Sequence, residues 1–124
     1  MNESKAGETV RAYANAWNEP DSDKRMALLE IAWSETGMYV DPTVELSGRE
    51  ALSDHIAAMQ AKRPGARIVL TSGTDEHHGQ LRFHWRLDLG DGTQGAESVD
   101  FGMLDRDGRL SRIVGFFGAP PAVD

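Results

Sequence analysis

The sequence predicts an α+β domain with three N-terminal helices packed on a curved antiparallel sheet. Two observations carry the helix and strand content. Apolar residues recur at helical spacing through the first half of the chain, and from Arg67 onward branched and aromatic runs alternate with short polar turns. Helices followed by a meander place the helices together on one face of the sheet. With 124 residues the chain has the length of one ordinary domain and one hydrophobic core.

Val10, Tyr13, Ala14 and Trp17 fall on one helical face within a helix expected from about Ser4 to Asn18. Asn18-Glu19-Pro20-Asp21 breaks the chain. Asp21 or Ser22 then caps a second helix carrying Met26, Leu28, Leu29, Ala32 and Trp33, with Gly37 as its expected stop. Met38 to Asp41 reads as a short extended piece, because a residue before proline is pushed out of the helical region. Ser47-Gly48-Arg49-Glu50 has the form of a capping box and opens a third helix running to Ala61 or Lys62. Its buried face is expected to be Leu52, His55, Ile56 and Met59, and Arg63-Pro64-Gly65 ends it.

Ile68 to Thr74, Leu81 to Leu89, Gln94 to Leu104 and Arg109 to Phe117 read as four strands. The connectors between them are short and polar, which favours hairpins. Leu81, Phe83, Trp85, Leu87 and Leu89 alternate with Arg82, His84, Arg86 and Asp88, so this strand has one oily and one charged face. Residues 1–118 are expected to form the single domain and residues 119–124 a loose tail.

A net charge of −7 argues against nucleic acid or an anionic membrane as partner, because both are held by Lys and Arg. The absence of cysteine removes disulfides and thiolate chemistry. The first eight residues lack the apolar core of a signal peptide and no segment approaches eighteen uninterrupted apolar residues. A soluble, unprocessed, cytoplasmic protein is the expectation.

Three separated residues suggest chemistry: Tyr13 on the first helix, Asp41 before Pro42, and Asp100 between Val99 and Phe101 in a strand. A tyrosine and two carboxylic acids are the groups needed to move a proton beside a carbonyl and hold the resulting enolate. Each also has a plainer reading. Tyr13 fits a core aromatic, Asp-Pro is a common turn pair, and Asp100 is open to a salt bridge with Arg82, Arg86 or Arg112. Strand alternation puts Asp100 with Ala96, Ser98, Gly102 and Leu104, and either face of the strand is open as the pocket face. His55 fits a core histidine, a pocket donor or an alternative base. Asp75-Glu76-His77-His78 reads as a solvated turn rather than a metal site, since adjacent side chains in a hairpin diverge.

Arg11-Ala12-Tyr13-Ala14-Asn15-Ala16-Trp17-Asn18, Val40-Asp41-Pro42, Gly48-Arg49-Glu50-Ala51-Leu52, Val99-Asp100, Asp107-Gly108-Arg109-Leu110 and Phe117-Gly118 resemble, in this order, the nuclear transport factor 2-like superfamily. Within it they look most like ketosteroid isomerases and SnoaL-like proteins. The resemblance implies a cone whose curved sheet wraps the helices and leaves a pocket at its open end. It implies Asp41 as general base, with Tyr13 and a protonated Asp100 as donors to the oxyanion. It also implies a small apolar ligand or carbonyl substrate, for which Trp17, Trp33, His55, Phe83, Trp85, Phe116 and Phe117 are candidate walls that core packing explains equally well. No cofactor and no metal are implied, and a homodimer is expected through the outer sheet face. An epoxide-hydrolase site typically carries arginine two positions before the strand aspartate, where this chain has Ser98. The same fold carries isomerases, cyclases and non-catalytic binding proteins, so activity rests on the site.

Overall fold

The structure is a computed structural model that describes residues 3–124. Helix α1 spans Lys5–Asn18, and its first turn is capped by Ser4, whose Oγ accepts from the Gly7 N–H at 3.0 Å. Helix α2 spans Ser22–Ala32 and is capped by Asp21, whose carboxylate accepts from Lys24 N–H at 2.9 Å. The α2 helix ends before Gly37, contrary to expectation. Strand β1 begins at Trp33 and runs to Asp41, with Gly37 in its interior. The indole of Trp33 explains the difference: it folds back over the strand and donates to Gly37 O at 3.2 Å. A Cβ at position 37 would stand 2.6 Å from Trp33 Nε1, so glycine is needed there for close approach and not for stopping a helix.

Strand β2, Val44–Ser47, pairs back on β1 in a hairpin that the sequence reading lacked. Helix α3, Arg49–Lys62, follows at once. The expected capping box does not form, because Ser47 is already paired in β2 with Met38. Gly48 is the cap residue instead, at φ 92°, with no side-chain cap; its N–H bonds Gly37 O at 2.9 Å. Strands β3 (Arg67–Leu70), β4 (Asp75–His77), β5 (Gln80–Asp88), β6 (Ser98–Leu104) and β7 (Leu110–Phe116) complete the chain. The segment read as a solvated turn thus contains a short exposed strand, β4, which pairs with β5.

The sheet order is β2-β1-β7-β6-β5-β3, with β4 also on β5. Neighbours are antiparallel except β1 and β7, which run parallel, so the sheet is mixed. A meander alone gives only antiparallel pairs. The parallel pair arises because β1 belongs to the helical half and joins the free edge of β7. The three helices cover the concave face. Val10, Leu29, Trp33, Leu52, Ile56, Leu110 and Ile113 are the sealed centre of the core.

At the opposite end α1 holds the sheet edge through one side chain. Asn18 Nδ2 donates to Ile68 O at 2.9 Å, and Ile68 N–H donates to Asn18 Oδ1 at 2.8 Å. The carboxamide thus supplies a strand-like pair to β3. On the convex face Phe101 and Phe116 meet edge to face at 6.1 Å and are 44 % and 54 % exposed, beside exposed Met103. Residues 119–124 form no helix or strand and are exposed. Among the described residues no helix is long and apolar enough to cross a membrane, and no group of three or more His, Cys, Asp or Glu side chains is arranged to hold a metal ion.

Candidate functional site

A cavity of about 490 Å³ lies between the helices and the concave sheet face. Tyr13 enters it from α1, Asp41 from the end of β1 and Asp100 from the middle of β6. Strand pairing brings the two acids together. Asp100 pairs with Gly115 across β6 and β7, while Val40 pairs with Val114 across β1 and β7. One residue further along, Asp41 therefore flanks Gly115 from the other side. A Cβ on Gly115 would stand 2.7 Å from Asp100 Oδ1 and 3.7 Å from Asp41 Cβ.

Asp100 is 6 % exposed and faces the cavity with Ser98. The competing salt-bridge reading fails here: Arg82 pairs with Asp75 at 2.9 Å, Arg86 with Asp88 at 2.8 Å, and Arg112 lies against Met38 Sδ. The one polar contact of the Asp100 side chain among the described residues is Trp85 Nε1, which donates to Oδ1 at 3.0 Å. Burial pushes the Asp100 carboxyl up to about 7, with the Trp85 N–H working against that rise and the charge of Asp41 adding to it.

Asp41 has the opposite setting. Its Oδ2 accepts from the Tyr39 hydroxyl at 2.6 Å; its Oδ1 accepts from Thr43 N–H at 2.7 Å, Thr43 Oγ1 at 2.7 Å and Val44 N–H at 3.2 Å. Partial burial pushes this carboxyl up, but the bonds from Tyr39, Thr43 and Val44 outweigh it and hold it below the ordinary 3.8. Asp41 is therefore a carboxylate fixed by four donors.

Tyr13 is 3 % exposed, stacked on Trp33 at 5.5 Å and edge-on to Phe83 at 6.4 Å. Among the described residues its hydroxyl proton has no acceptor. Burial pushes the phenol well above 10.0, with Asp100 adding to the rise, so Tyr13 is a neutral donor. His55 packs between Trp17 and Tyr39, each at 5.8 Å between ring centroids. Burial lowers its pKa below 6.5 against the pull of Asp41, which leaves a neutral imidazole at neutral pH. Among the described residues neither ring nitrogen makes a hydrogen bond.

Trp17, His55, Phe83 and Trp85 line the cavity. Two of the expected wall residues do not. Trp33 is 0 % exposed and lies in the core behind Tyr13. Phe116 points to the convex face, and its neighbour Phe117 turns inward, edge-on to Trp85 at 5.8 Å. Strand parity is the reason: Gly115 faces inward opposite Asp100, so Phe116 faces out. The sequence reading also passed over Tyr39, which shares a strand face with Asp41 two residues away, and Thr43, Asn18 and Gln60. Alternation along Tyr39-Val40-Asp41 was the available signal. Gln60 lines the cavity, its Nε2 donating to Trp17 O at 2.9 Å and Glu19 O at 3.1 Å.

The site thus holds a neutral phenol, a carboxyl pushed up to about 7, an anchored anion and a neutral imidazole around apolar walls. Neighbouring titratable groups are driven apart in pKa by burial on one side and hydrogen bonding on the other, the pattern of an acid and base set.

No family model matches the chain, and no curated protein matches it. Solved structures do. A protein of the SnoaL-like family from Agrobacterium tumefaciens strain C58, provisionally described as an isomerase, is 36% identical with a TM-score of 0.86. The match covers 93% of this chain and 98% of that one. A protein of ketosteroid isomerase-like fold from Catenulispora acidiphila, solved with trimethylamine, has a TM-score of 0.72 at 17% identity, covering 90% of this chain and 85% of that one. A provisionally described polyketide cyclase from Xanthomonas campestris pv. campestris gives 0.68 at 19% identity, covering 95% and 93%. These two bear on the fold alone. On the first, the chain belongs to the SnoaL-like family.

Proposed function

We propose that the protein is a cofactor-free enzyme that moves a proton beside the carbonyl of a small apolar compound through an enolate, as an isomerase or a cyclase does. The observation that carries this reading is Asp100: a buried carboxyl with no cation partner among the described residues, lining an apolar cavity that it shares with Tyr13. A neutral acid and a neutral phenol both donate hydrogen bonds. Two such donors favour an oxygen that gains charge in the transition state, and each is worth roughly 3–4 kcal/mol in sites of this kind. The proton of the substrate carbon is taken at the corner made by Asp41, Tyr39 and His55, where the sequence reading puts Asp41 as base.

Solvent exchange tests this without knowledge of the natural substrate. With 2-tetralone in D2O, catalysed loss of the α-proton signal is expected, and 2-naphthol, an enolate mimic, is expected to bind with a lowered phenol pKa. Tyr13→Phe should weaken both. Exchange at the uncatalysed rate would overturn the enzymatic reading.

One observation favours a second reading, a binding protein without activity: the four donors on Asp41 leave it a weak base. Such a protein would bind 2-naphthol and exchange nothing. For the assembly we propose a homodimer that covers Phe101, Met103 and Phe116, the exposed apolar residues of the convex face.

A further inference from the structure

We infer that the proton-accepting atom of this site is a ring nitrogen of His55, with Asp41 and Tyr39 serving as its anionic support. The inference rests on the enolising reading given above and replaces Asp41 as the base within it.

Three features on the cavity wall carry it. Both oxygens of Asp41 are occupied, Oδ1 by three donors and Oδ2 by the Tyr39 hydroxyl at 2.6 Å, so taking a proton costs the carboxylate bonds it already has. His55, in contrast, lines the same cavity with both nitrogens unengaged among the described residues. Its ring is flanked by two aromatic rings, Trp17 of α1 edge to face and Tyr39 of β1 tilted against it. Finally, the imidazole is the stronger base. Ordinary histidine lies roughly 2.6 pKa units above ordinary aspartate, and here both are lowered, one by burial and the other by its donors.

The step balances within the site. The C–H bond beside the carbonyl breaks and its proton passes to the His55 nitrogen. The bond pair becomes the C=C bond of the enolate, and the carbonyl pair moves onto oxygen, where Tyr13 and Asp100 donate. The imidazolium is stabilised by the carboxylate of Asp41, whose charge already favours protonated His55. It then returns the proton to the same carbon or to one conjugated with it, so nothing is oxidised or reduced. Tyr39 and Asp41 are positioning residues in this scheme, and His55 is the catalytic one.

The titratable neighbours of His55 are Tyr39 and Asp41 on β1 and Lys62 on its own helix, and α1 meets it through uncharged Trp17. A histidine base works only when neutral, so kcat/KM should rise with pH through a limb that lies below the ordinary histidine value of 6.5, because burial lowers the imidazole. An Asp41 base would put that limb below 3.8. A second limb should fall near 7 as Asp100 loses the proton it donates.

The test is the pH profile of 2-tetralone α-exchange for wild type, His55→Gln and Asp41→Asn, beside the affinity of each for 2-naphthol. His55→Gln should lose about 100-fold in kcat or more while 2-naphthol binding stays within about threefold, and added imidazole should partly restore a His55→Ala variant. Asp41→Asn should lose less and move the rising limb to lower pH, because the charge that favours imidazolium is gone. The wild-type profile is informative even if a variant fails to fold. A wild-type limb below 3.8, or a folded His55→Gln with near wild-type rate, overturns the inference and returns the base to Asp41, leaving the enolising reading intact. A wild type that binds 2-naphthol and exchanges nothing overturns both.

Discussion

Asp100 and Gly115 are paired across β6 and β7, and the missing side chain of one is what gives the carboxyl of the other its room. A Cβ at position 115 would fall 2.7 Å from Asp100 Oδ1, inside van der Waals contact. Gly115→Ala should therefore push the carboxyl off its Trp85 partner. The expected cost is about 1–3 kcal/mol of stability, read from a urea melt, with a parallel loss of 2-naphthol affinity. An alanine variant with unchanged melt and affinity would show that Asp100 does not need this space.

Asp100 should also leave a mark on stability against pH. Its folded pKa, about 7, lies above its ordinary 3.8, so between these values the folded state holds a proton that the unfolded state has released. Stability should fall as pH rises through this window, by up to about 4 kcal/mol at one pKa unit per 1.36 kcal/mol. Asp100→Asn removes the titration while keeping an acceptor for the Trp85 N–H. Urea melts at pH 4, 6 and 8 should decline for wild type and run flatter for the variant; equal slopes would place the charge of Asp100 elsewhere.

Tyr39→Phe deletes the 2.6 Å bond to Asp41 and nothing else in the ring. A charge-assisted bond of this kind is worth about 1–3 kcal/mol. The Asp41 pKa is depressed, so its contribution to stability is present above the ordinary 3.8 and lost as pH falls through the lower folded value. The variant should be less stable at pH 7 and differ less from wild type at pH 2. A carbon-detected titration of Asp41 should show its pKa rising in the variant.

The convex face gives a test that is independent of the cavity. Phe101→Glu with Phe116→Glu should yield a monomer by sedimentation, against a dimer for wild type, with 2-naphthol affinity retained. A wild type that sediments as a monomer at micromolar concentration would refute the proposed homodimer.

The helices were legible from periodicity and punctuation: α1 keeps close to the expected Ser4 to Asn18, Asp21 caps α2 as its position says, and Arg63-Pro64-Gly65 ends α3. The meander was legible from the alternation around Phe83 and Trp85. What could not be read were features made by tertiary contacts. Trp33 has helical spacing from Leu29, yet the core takes its indole and the chain becomes a strand. Ser47 has the right neighbours for a cap, yet β2 takes it first. At the site, Tyr13, Asp41 and Asp100 do meet at one cavity, but the state of Asp41 was hidden. The four donors on Asp41 come from a turn and from Tyr39, and the face of Phe116 depends on a register that only pairing with Asp100 reveals.

Strand β7 stands between the strands that carry Asp41 and Asp100. Their backbones are therefore two strand spacings apart, roughly 9.5 Å. The separation of the two acids is therefore a length set by backbone hydrogen bonding. Side-chain substitutions along the cavity can retune acidity and shape without altering this length. The spacing of Asp41 and Asp100 therefore persists under drift in the cavity walls and changes only with the strand order itself.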